Sequence, residues 1–525
     1  MYFTLIRSFL SGPFILIRGF SMADTYLQFV TAVPVIIAAL VALLLGERHT
    51  MLVARLAQIA AGLALVSAFV VVTSVDAVAA VMLLLVTFVG FVVVRYSQTY
   101  LRAEPGQARF TGWLCATLAS VIVFVAASNV LVLIAAWVAT SLCLHRLLLF
   151  YPERAAAQRA ARKKFLTARL SDVALVGAAA CLWLAYGSFD IANILASARA
   201  GLGGSWAIGA AALLAVAALF KSAQFPTHGW LTEVMETPTP VSALLHAGVI
   251  NAGGFLLIRF ADVMLLAPGV LAVLVMVGGL TAIIGSLVML TQSAVKTSLA
   301  WSTIAQMGFM IFQCGLALFP LALLHIVAHS LYKAHAFLAA GGAVERIAAT
   351  KRPGAVAVPR PKAVLGAFGL ALTIYAVVGL LFGIWHKSPQ AIALGAILIF
   401  GTAYLIAQGL ADKAPRALTQ ATALYAVVAA ASYFALQAGA SWLMAGTLPV
   451  TPIPGPLEWA LILLALASFA IVAVAQAMFP LWAYHPAAAG IRVHLANGLY
   501  ANAMFDRLID GWSMPKSVPN REFKP

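Results

Sequence analysis

Apolar runs of 18 residues or more recur along the chain, separated by short polar stretches. They fall near 29–46, 52–74, 76–94, 110–127, 129–150, 170–187, 206–223, 238–260, 266–290, 297–317, 319–343, 363–385, 389–410, 420–438 and 457–478. At 1.5 Å rise per residue, such a run matches the hydrocarbon core of a bilayer. Strand-length alternation of apolar and polar positions is absent, so helices rather than a barrel are expected to satisfy the backbone in lipid. The pattern predicts an all-α polytopic membrane protein of about 14–16 transmembrane helices. It predicts three regions: an apolar or interfacial segment over 1–28, a helical bundle over 29–478 and a tail over 479–525. The stretch Phe3 to Phe20 is interrupted by Arg7, Pro13 and Arg18 and has no small-residue cleavage site. It reads as an extra span or an interfacial helix rather than a cleavable signal.

The composition agrees: 63% of the 525 residues are hydrophobic, 9% are charged and the mean hydropathy is +1.01. A soluble core cannot absorb that much apolar surface. The net charge of +16 would suit a nucleic-acid partner, but its position argues for membrane orientation. Arg48, Arg55, Arg102 and Arg109 flank the first and third spans. Arg154, Arg159, Arg162, Lys163, Lys164 and Arg169 follow the fifth. Arg346, Lys351, Arg352, Arg360 and Lys362 follow the eleventh, and Arg492, Arg507, Lys516, Arg521 and Lys524 lie in the tail. All follow odd-numbered spans, so one end of the bundle is basic, and the positive-inside rule assigns that end and the C-terminus to the cytoplasm. Cys115, Cys143, Cys181 and Cys314 sit inside apolar runs without a CxxC pair, as buried small hydrophobes do.

Ionisable groups at bilayer depth are few here and clustered. Lys221 ends the seventh span in Phe220-Lys221-Ser222-Ala223-Gln224-Phe225-Pro226. Pro226 lacks an amide donor, so the helix is expected to break there and present polar backbone to an ion path. Glu233 and Glu236 follow, and the eighth span carries His246. In the eleventh span His325, His329 and Lys333 repeat at i, i+4, i+8, on one helix face, with His335 on another. Groups about 6 Å apart along a helix, joined by water, are what a proton relay needs. Taken alone, a transmembrane histidine more often makes an interhelical hydrogen bond, and His-x-x-x-His also reads as a metal pair; no third ligand lies nearby and no HExxH occurs. Asp172 opens the sixth span and is placed either to pair with Arg169 or to join the path. Lys296 and Lys387 lie at span ends, where lysines snorkel. A carrier for a metabolite anion is the competing reading. It would want a midplane arginine, and Arg259 lies near a span end.

Three segments resemble the antiporter-like subunits of the respiratory NADH dehydrogenase complex and of Mrp sodium/proton antiporters. They are Lys221 to Gln224 through Pro238-Thr239-Pro240-Val241-Ser242-Ala243-Leu244-Leu245-His246-Ala247, Lys296 to Gly308, and His325 to Lys333. The resemblance covers roughly residues 80–350. It implies two inverted helical repeats, each with a broken helix. It implies that Lys221 is the central lysine of the first half-channel, that His246, His325, His329 and Lys333 are the connecting relay, and that Asp172 is an acidic position beside Lys221. The family usually has a glutamate after the tryptophan of the fifth span. Here Trp137 is followed by Val138. The second half is short, with Lys387 as the nearby candidate for its distal lysine.

The block His228 to Thr237 is closer to the membrane subunits of the DAB inorganic-carbon pump. That resemblance implies a cation-translocating (H+ or Na+), energy-coupling subunit in a prokaryotic inner membrane. It also implies a large DabA-like partner on the cytoplasmic side, a zinc protein resembling a β-carbonic anhydrase, that hydrates CO2 to bicarbonate. Glu233 and Glu236, close in sequence to Lys221, are expected to replace the missing carboxylate. No GxGxxG, Walker loop or CxxC series points to a bound cofactor, so this chain is expected to transport rather than catalyse, with zinc in the partner. A subunit of a respiratory or Mrp-like complex and an independent bicarbonate carrier remain open as alternatives.

Overall fold

A computed structural model describes residues 29–342, 361–409, 416–482 and 485–510, with backbone alone for some of them, Glu236 among them. The expected N-terminal segment 1–28, the basic residues Arg346, Lys351, Arg352 and Arg360, and the last part of the tail lie outside the described residues.

The bundle opens with α1 (Val33–Leu45), α2 (Thr50–Val71), α3 (Ala77–Tyr100), α4 (Gln107–Ala126), α5 (Val130–Leu148), α6 (Ala155–Tyr186), α7 (Ile191–Arg199) and α8 (Gly204–Lys221). The short α9 (Gly229–Glu233) and a 3-10 turn at Val234–Glu236 lead to α10 (Thr239–Ala247), a second turn at Val249–Asn251, α11 (Ala252–Arg259) and α12 (Ala261–Leu265). The long helices α13 (Pro268–Met289), α14 (Val295–Gly315) and α15 (Phe319–Leu338) follow. The second half contains α16 (Pro361–Leu381), α17 (Pro389–Gly409), α18 (Arg416–Leu443) and α19 (Pro456–Trp482), and the tail α20 (Pro486–Ala496) and α21 (Ala501–Asp510). Among the described residues, one isolated bridge between Asn129 and Asp190 is the only extended pairing.

Each of the fifteen apolar runs is helical. Twelve stretches among the described residues are long and apolar enough to cross a membrane, with Val33–Val71 counted as one. The chain divides that stretch at a 3-10 turn, Gly46–His49. Two apolar cores result. The larger joins α1 through α15, and the smaller joins α16 to α19 with parts of α13, α14 and α15. The close pair α13/α14 depends on small residues: a Cβ on Gly308 would lie 2.5 Å from the backbone nitrogen of Ala282. Such contact lets backbones approach where lipid supplies no hydrophobic drive between helices.

Three features differ from the pattern. First, α6 starts at Ala155, fifteen residues before the expected span. Alanines 155–157, 160 and 161 favour helix, so the expected basic loop is largely helical, and Lys163 and Lys164 are buried. Second, α8 stops at Lys221 rather than at Pro226. Ala223 adopts a left-handed φ of 48°, Ser222 Oγ donates to Ile250 O at 3.2 Å, and the Phe225 amide donates to Thr281 Oγ1 at 3.1 Å. Side chains thus take up the backbone groups that the break frees. Third, the eighth span is itself interrupted at Gly248, and Asn251 Nδ2 donates to the Ala247 carbonyl at 3.0 Å.

The end of the bundle away from the tail is held by acid–base pairs. Asp76 caps α3, accepting from the Ala79 amide at 3.0 Å, and accepts from Arg259 Nη1 at 2.5 Å. Arg199 Nε donates to Asp262 at 2.9 Å and its Nη2 to the Thr447 carbonyl at 2.6 Å. Arg199 and Arg259 are therefore charge-compensated, in keeping with the asymmetry read from the loops. The tail docks at the opposite end: Gly498 packs on Trp301, and Asn502 of α21 lies where a Cβ on Gly229 would be.

Candidate ion-translocation path

Lys221 is 7% exposed at the end of α8. Its ammonium lies 4.2 Å from the Trp137 ring centroid and 3.5 Å from the Trp137 carbonyl of α5. An ammonium held this far from water needs compensating charge. Asp172, a buried residue of α6, supplies it: its carboxylate interacts with Lys221 and lies 2.6 Å from Arg169 Nη2, one helical turn away. Asp172 thus pairs with Arg169 and also acts on Lys221 from beyond ion-pair distance. Beside Lys221 is a cavity of about 30 Å³ whose lining includes Trp137, Thr140, Asn251 and Ser330. That space admits about two waters.

The α15 face gathers as its spacing predicts. The rings of His325 and His329 are 6.1 Å apart, and His325 Nδ1 is 2.9 Å from Gln313 Oε1. Lys333, with no exposed surface, donates to the Leu299 carbonyl at 3.1 Å. His246 of α10 stacks on Phe337 and bonds Thr303 Oγ1 at 3.0 Å through Nδ1. His329 interacts electrostatically with His325, Lys333 and His246, so it is the hub of the group. Neither of its ring nitrogens, nor His246 Nε2, has a hydrogen-bond partner among the described residues. His335 is exposed, on another face.

Asn251 and Ser330 lie beside Lys221 and escaped the sequence reading. Asn251 Nδ2 donates to Ser330 Oγ at 2.9 Å. Both line the cavity beside Lys221, and Ser330 follows His329 in the chain. The available signal was an asparagine three residues after Gly248, in the span that carries His246.

Other expected members are elsewhere. Glu233 forms an ion pair with Lys163 and accepts from Asn502 Nδ2 at 2.7 Å. It does not replace the missing carboxylate beside Lys221, because α9 carries it back to the start of α6. The side chain of Glu236 lies outside the described residues. Lys387 sits half-buried in the turn between α16 and α17, at a bundle end. Among the described residues after His335, no Asp, Glu, Lys, Arg or His is buried; the buried polar groups are Gln390, Thr422 and Gln437. Also among the described residues, no three His, Cys, Asp or Glu side chains gather as a metal site.

Comparison with known proteins bears on this arrangement. Residues 127–356 match the NADH:quinone oxidoreductase/Mrp antiporter transmembrane family, and residues 67–111 match the N-terminus of NADH-ubiquinone oxidoreductase (complex I) chain 5. A protein of Hydrogenovibrio crunogenus described as "probable inorganic carbon transporter subunit DabB" is 49% identical over 271 residues, 50% of this chain and 52% of that protein. One of Halothiobacillus neapolitanus described as "probable inorganic carbon transporter subunit DabB2" is 39% identical over 433 residues, 81% of this chain and 77% of that one. An NAD(P)H-quinone oxidoreductase chain 5 from Synechocystis is 35% identical over 277 residues, covering 51% of this chain and 40% of the relative. The chain thus spans about half the length of the first of these and three quarters of the second. The fold is that of a chain in the Mrp complex from Dietzia sp. DQ12-45-1b, with TM-score 0.61 and 22% identity over 92% of this chain and 59% of that one. With more than three quarters of one such relative matched, the chain belongs to the family of DabB inorganic-carbon transporter subunits, within the antiporter-like membrane proteins.

Proposed function

We propose that this chain translocates H+ or Na+ and thereby drives inorganic-carbon uptake by a partner subunit. The observation that supports this most is the set of buried polar groups inside the bundle: Lys221 beside Asp172, the Asn251–Ser330 bond on the Lys221 cavity, and His329 with Lys333 and His246. Buried ammonium and imidazole groups are expensive in a membrane protein, and they persist where they do work on a path. Lys221, over the Trp137 ring and within reach of the Asp172 charge, is one charge site, and the His329 hub is the other. The cavity beside Lys221 reaches Asn251 and Ser330, and Ser330 follows His329 on α15, so a change of protonation at one site biases the other through a low-dielectric interior. The second half, without a buried ionisable group among its described residues, scaffolds this single path.

On this reading the chemistry of CO2 hydration to bicarbonate belongs to a large DabA-like subunit with bound zinc, docked on the basic end of the bundle. That end, with the tail, faces the cytoplasm of a prokaryotic inner membrane. The test uses cells that lack their own uptake system and express the complete complex. Lys221→Ala and His329→Ala are each expected to abolish carbon accumulation while the complex still purifies intact. Full accumulation in both variants overturns the path. Collapse of the proton and sodium gradients together should stop uptake; uptake that persists rejects the coupling. Co-purification of quinone-reductase or Mrp subunits instead of a large zinc protein would move the chain to a respiratory or antiporter assembly.

A further inference from the structure

Lys164 is a second buried lysine beside Lys221, and the path described so far does not use it. It is 5% exposed, one residue after the Lys163 that pairs with Glu233. Its Nζ donates to the Ser141 carbonyl at 2.6 Å and to Ser141 Oγ at 2.9 Å. Among the described residues, no carboxylate is in ion-pair distance of it, unlike Lys163. A separate cavity of about 20 Å³ is lined by Lys164 and Lys221 together, with Thr167, Ala168 and Trp230. That volume admits about one water. The groups that act electrostatically on Lys164 are Lys221, Arg169, Asp172 and Cys143. His145, one turn beyond Ser141 on α5, also interacts with it. His145 is half-buried, and its Nδ1 has no partner among the described residues. It lies in the last turn of α5, towards the basic end. Lys221 therefore has a water-sized space on two sides, one towards Asn251 and Ser330 and one towards Lys164.

We propose that Lys164 is the proton station between Lys221 and the basic end of the bundle, and that Lys164, Ser141 and His145 form the mouth of the path there. A neutral Lys221 amine takes a proton from the Lys164 ammonium through one water in the shared cavity. Lys164, left as a neutral amine, takes a proton from hydronium at the His145 side, releasing water. In the first transfer an N–H bond of Lys164 breaks and one of Lys221 forms; in the second an O–H bond of hydronium breaks and the N–H bond of Lys164 re-forms. The two ammonium groups repel each other, and Asp172, which acts on both, offsets part of that repulsion. Occupancy of one therefore favours release from the other, which gives the transfer a direction set by the gradient.

The proposal rests on the ion path through Lys221, so the same experiment carries a control for that path. Initial rates of inorganic-carbon accumulation are measured in cells expressing the complete complex with Lys164→Met, Lys164→Arg, Ala168→Val or Lys221→Ala. Arginine keeps the charge and the donors to Ser141, but a guanidinium does not give up its proton in a protein. Lys164→Met and Lys164→Arg are both expected to lower the rate at least tenfold, with wild-type yields of complex. A wild-type rate for Lys164→Arg makes Lys164 a structural tie and overturns the proposal. Ala168→Val keeps both lysines and fills the shared cavity, so it decides the matter where the lysine variants fail to assemble; it too should be slow, and a wild-type rate overturns the proposal. A wild-type rate for Lys221→Ala rejects the whole path. Slow Lys221→Ala with normal Lys164 variants rejects the mouth alone.

Discussion

The ammonium of Lys221 lies 4.2 Å from the centre of the Trp137 ring, on a helix whose next residue is Val138. A ring face in place of an adjacent carboxylate holds the charge by cation–π attraction, worth about 2 kcal/mol when desolvated. Trp137→Leu removes it and is expected to slow carbon accumulation by roughly tenfold, the rate equivalent of 1.4 kcal/mol. Trp137→Phe keeps a ring and should lose less. Equal losses in the two variants would show that ring volume, rather than the ring face, is what Lys221 needs.

Asp172 is the carboxylate that acts on Lys221, and it also holds Arg169. Asp172→Asn leaves two cations in one buried place, where an uncompensated charge costs about 3–5 kcal/mol. The expected result is loss of transport and a lower melting temperature in detergent. Glu233→Gln, in contrast, should leave transport turnover per assembled complex close to wild type. A Glu233→Gln complex as inactive as Asp172→Asn would return Glu233 to the path.

Lys163 carries the tail. Its ammonium pairs with both Glu233 and Asp506 and donates to Asn502 Oδ1 at 3.1 Å, so one buried charge ties α6, α9 and α21 together. Lys163→Ala breaks all three links and leaves two carboxylates in a poorly solvated seam. Limited proteolysis should then cut the chain between α20 and α21 several-fold faster than in the wild type, because local opening governs cleavage. Unchanged cleavage would mean that Gly498 on Trp301 anchors the tail without the ion pairs.

The parts legible in the sequence are those fixed by local periodicity. His325, His329 and Lys333 share a face because a helix repeats every 3.6 residues, and the apolar runs are helices because they lack the strand alternation of a barrel, the other way to satisfy a backbone in lipid. What was not legible depends on where helices end and how they meet. The charges of Lys163 and Lys164 resemble a solvated loop until α6 is seen to begin at Ala155. Glu233 is near Lys221 in sequence, but the short α9 turns it to Lys163. Asn251 and Ser330, 2.9 Å apart, come from spans far apart in the chain, and neither has a spacing that marks it.

Acid sensitivity should arise at the opposite end, at Asp76. Burial raises its carboxyl pKa, but Arg259 and the Ala79 amide outweigh that and hold it below the ordinary value of 3.8. A depressed folded pKa contributes stability that is present above the unfolded value and is lost as pH falls through the folded one. The pair should therefore support the bundle in full at neutral pH and fade below about pH 4. Asp76→Asn still caps α3 but loses the charge-assisted bond to Arg259, about 2 kcal/mol. Its melting temperature in detergent should be lower than the wild type's at pH 7, and the difference should shrink steadily below pH 4. A difference that stays constant down to pH 3 would show that cap geometry, rather than the Asp76–Arg259 charge pair, sets the stability of this end.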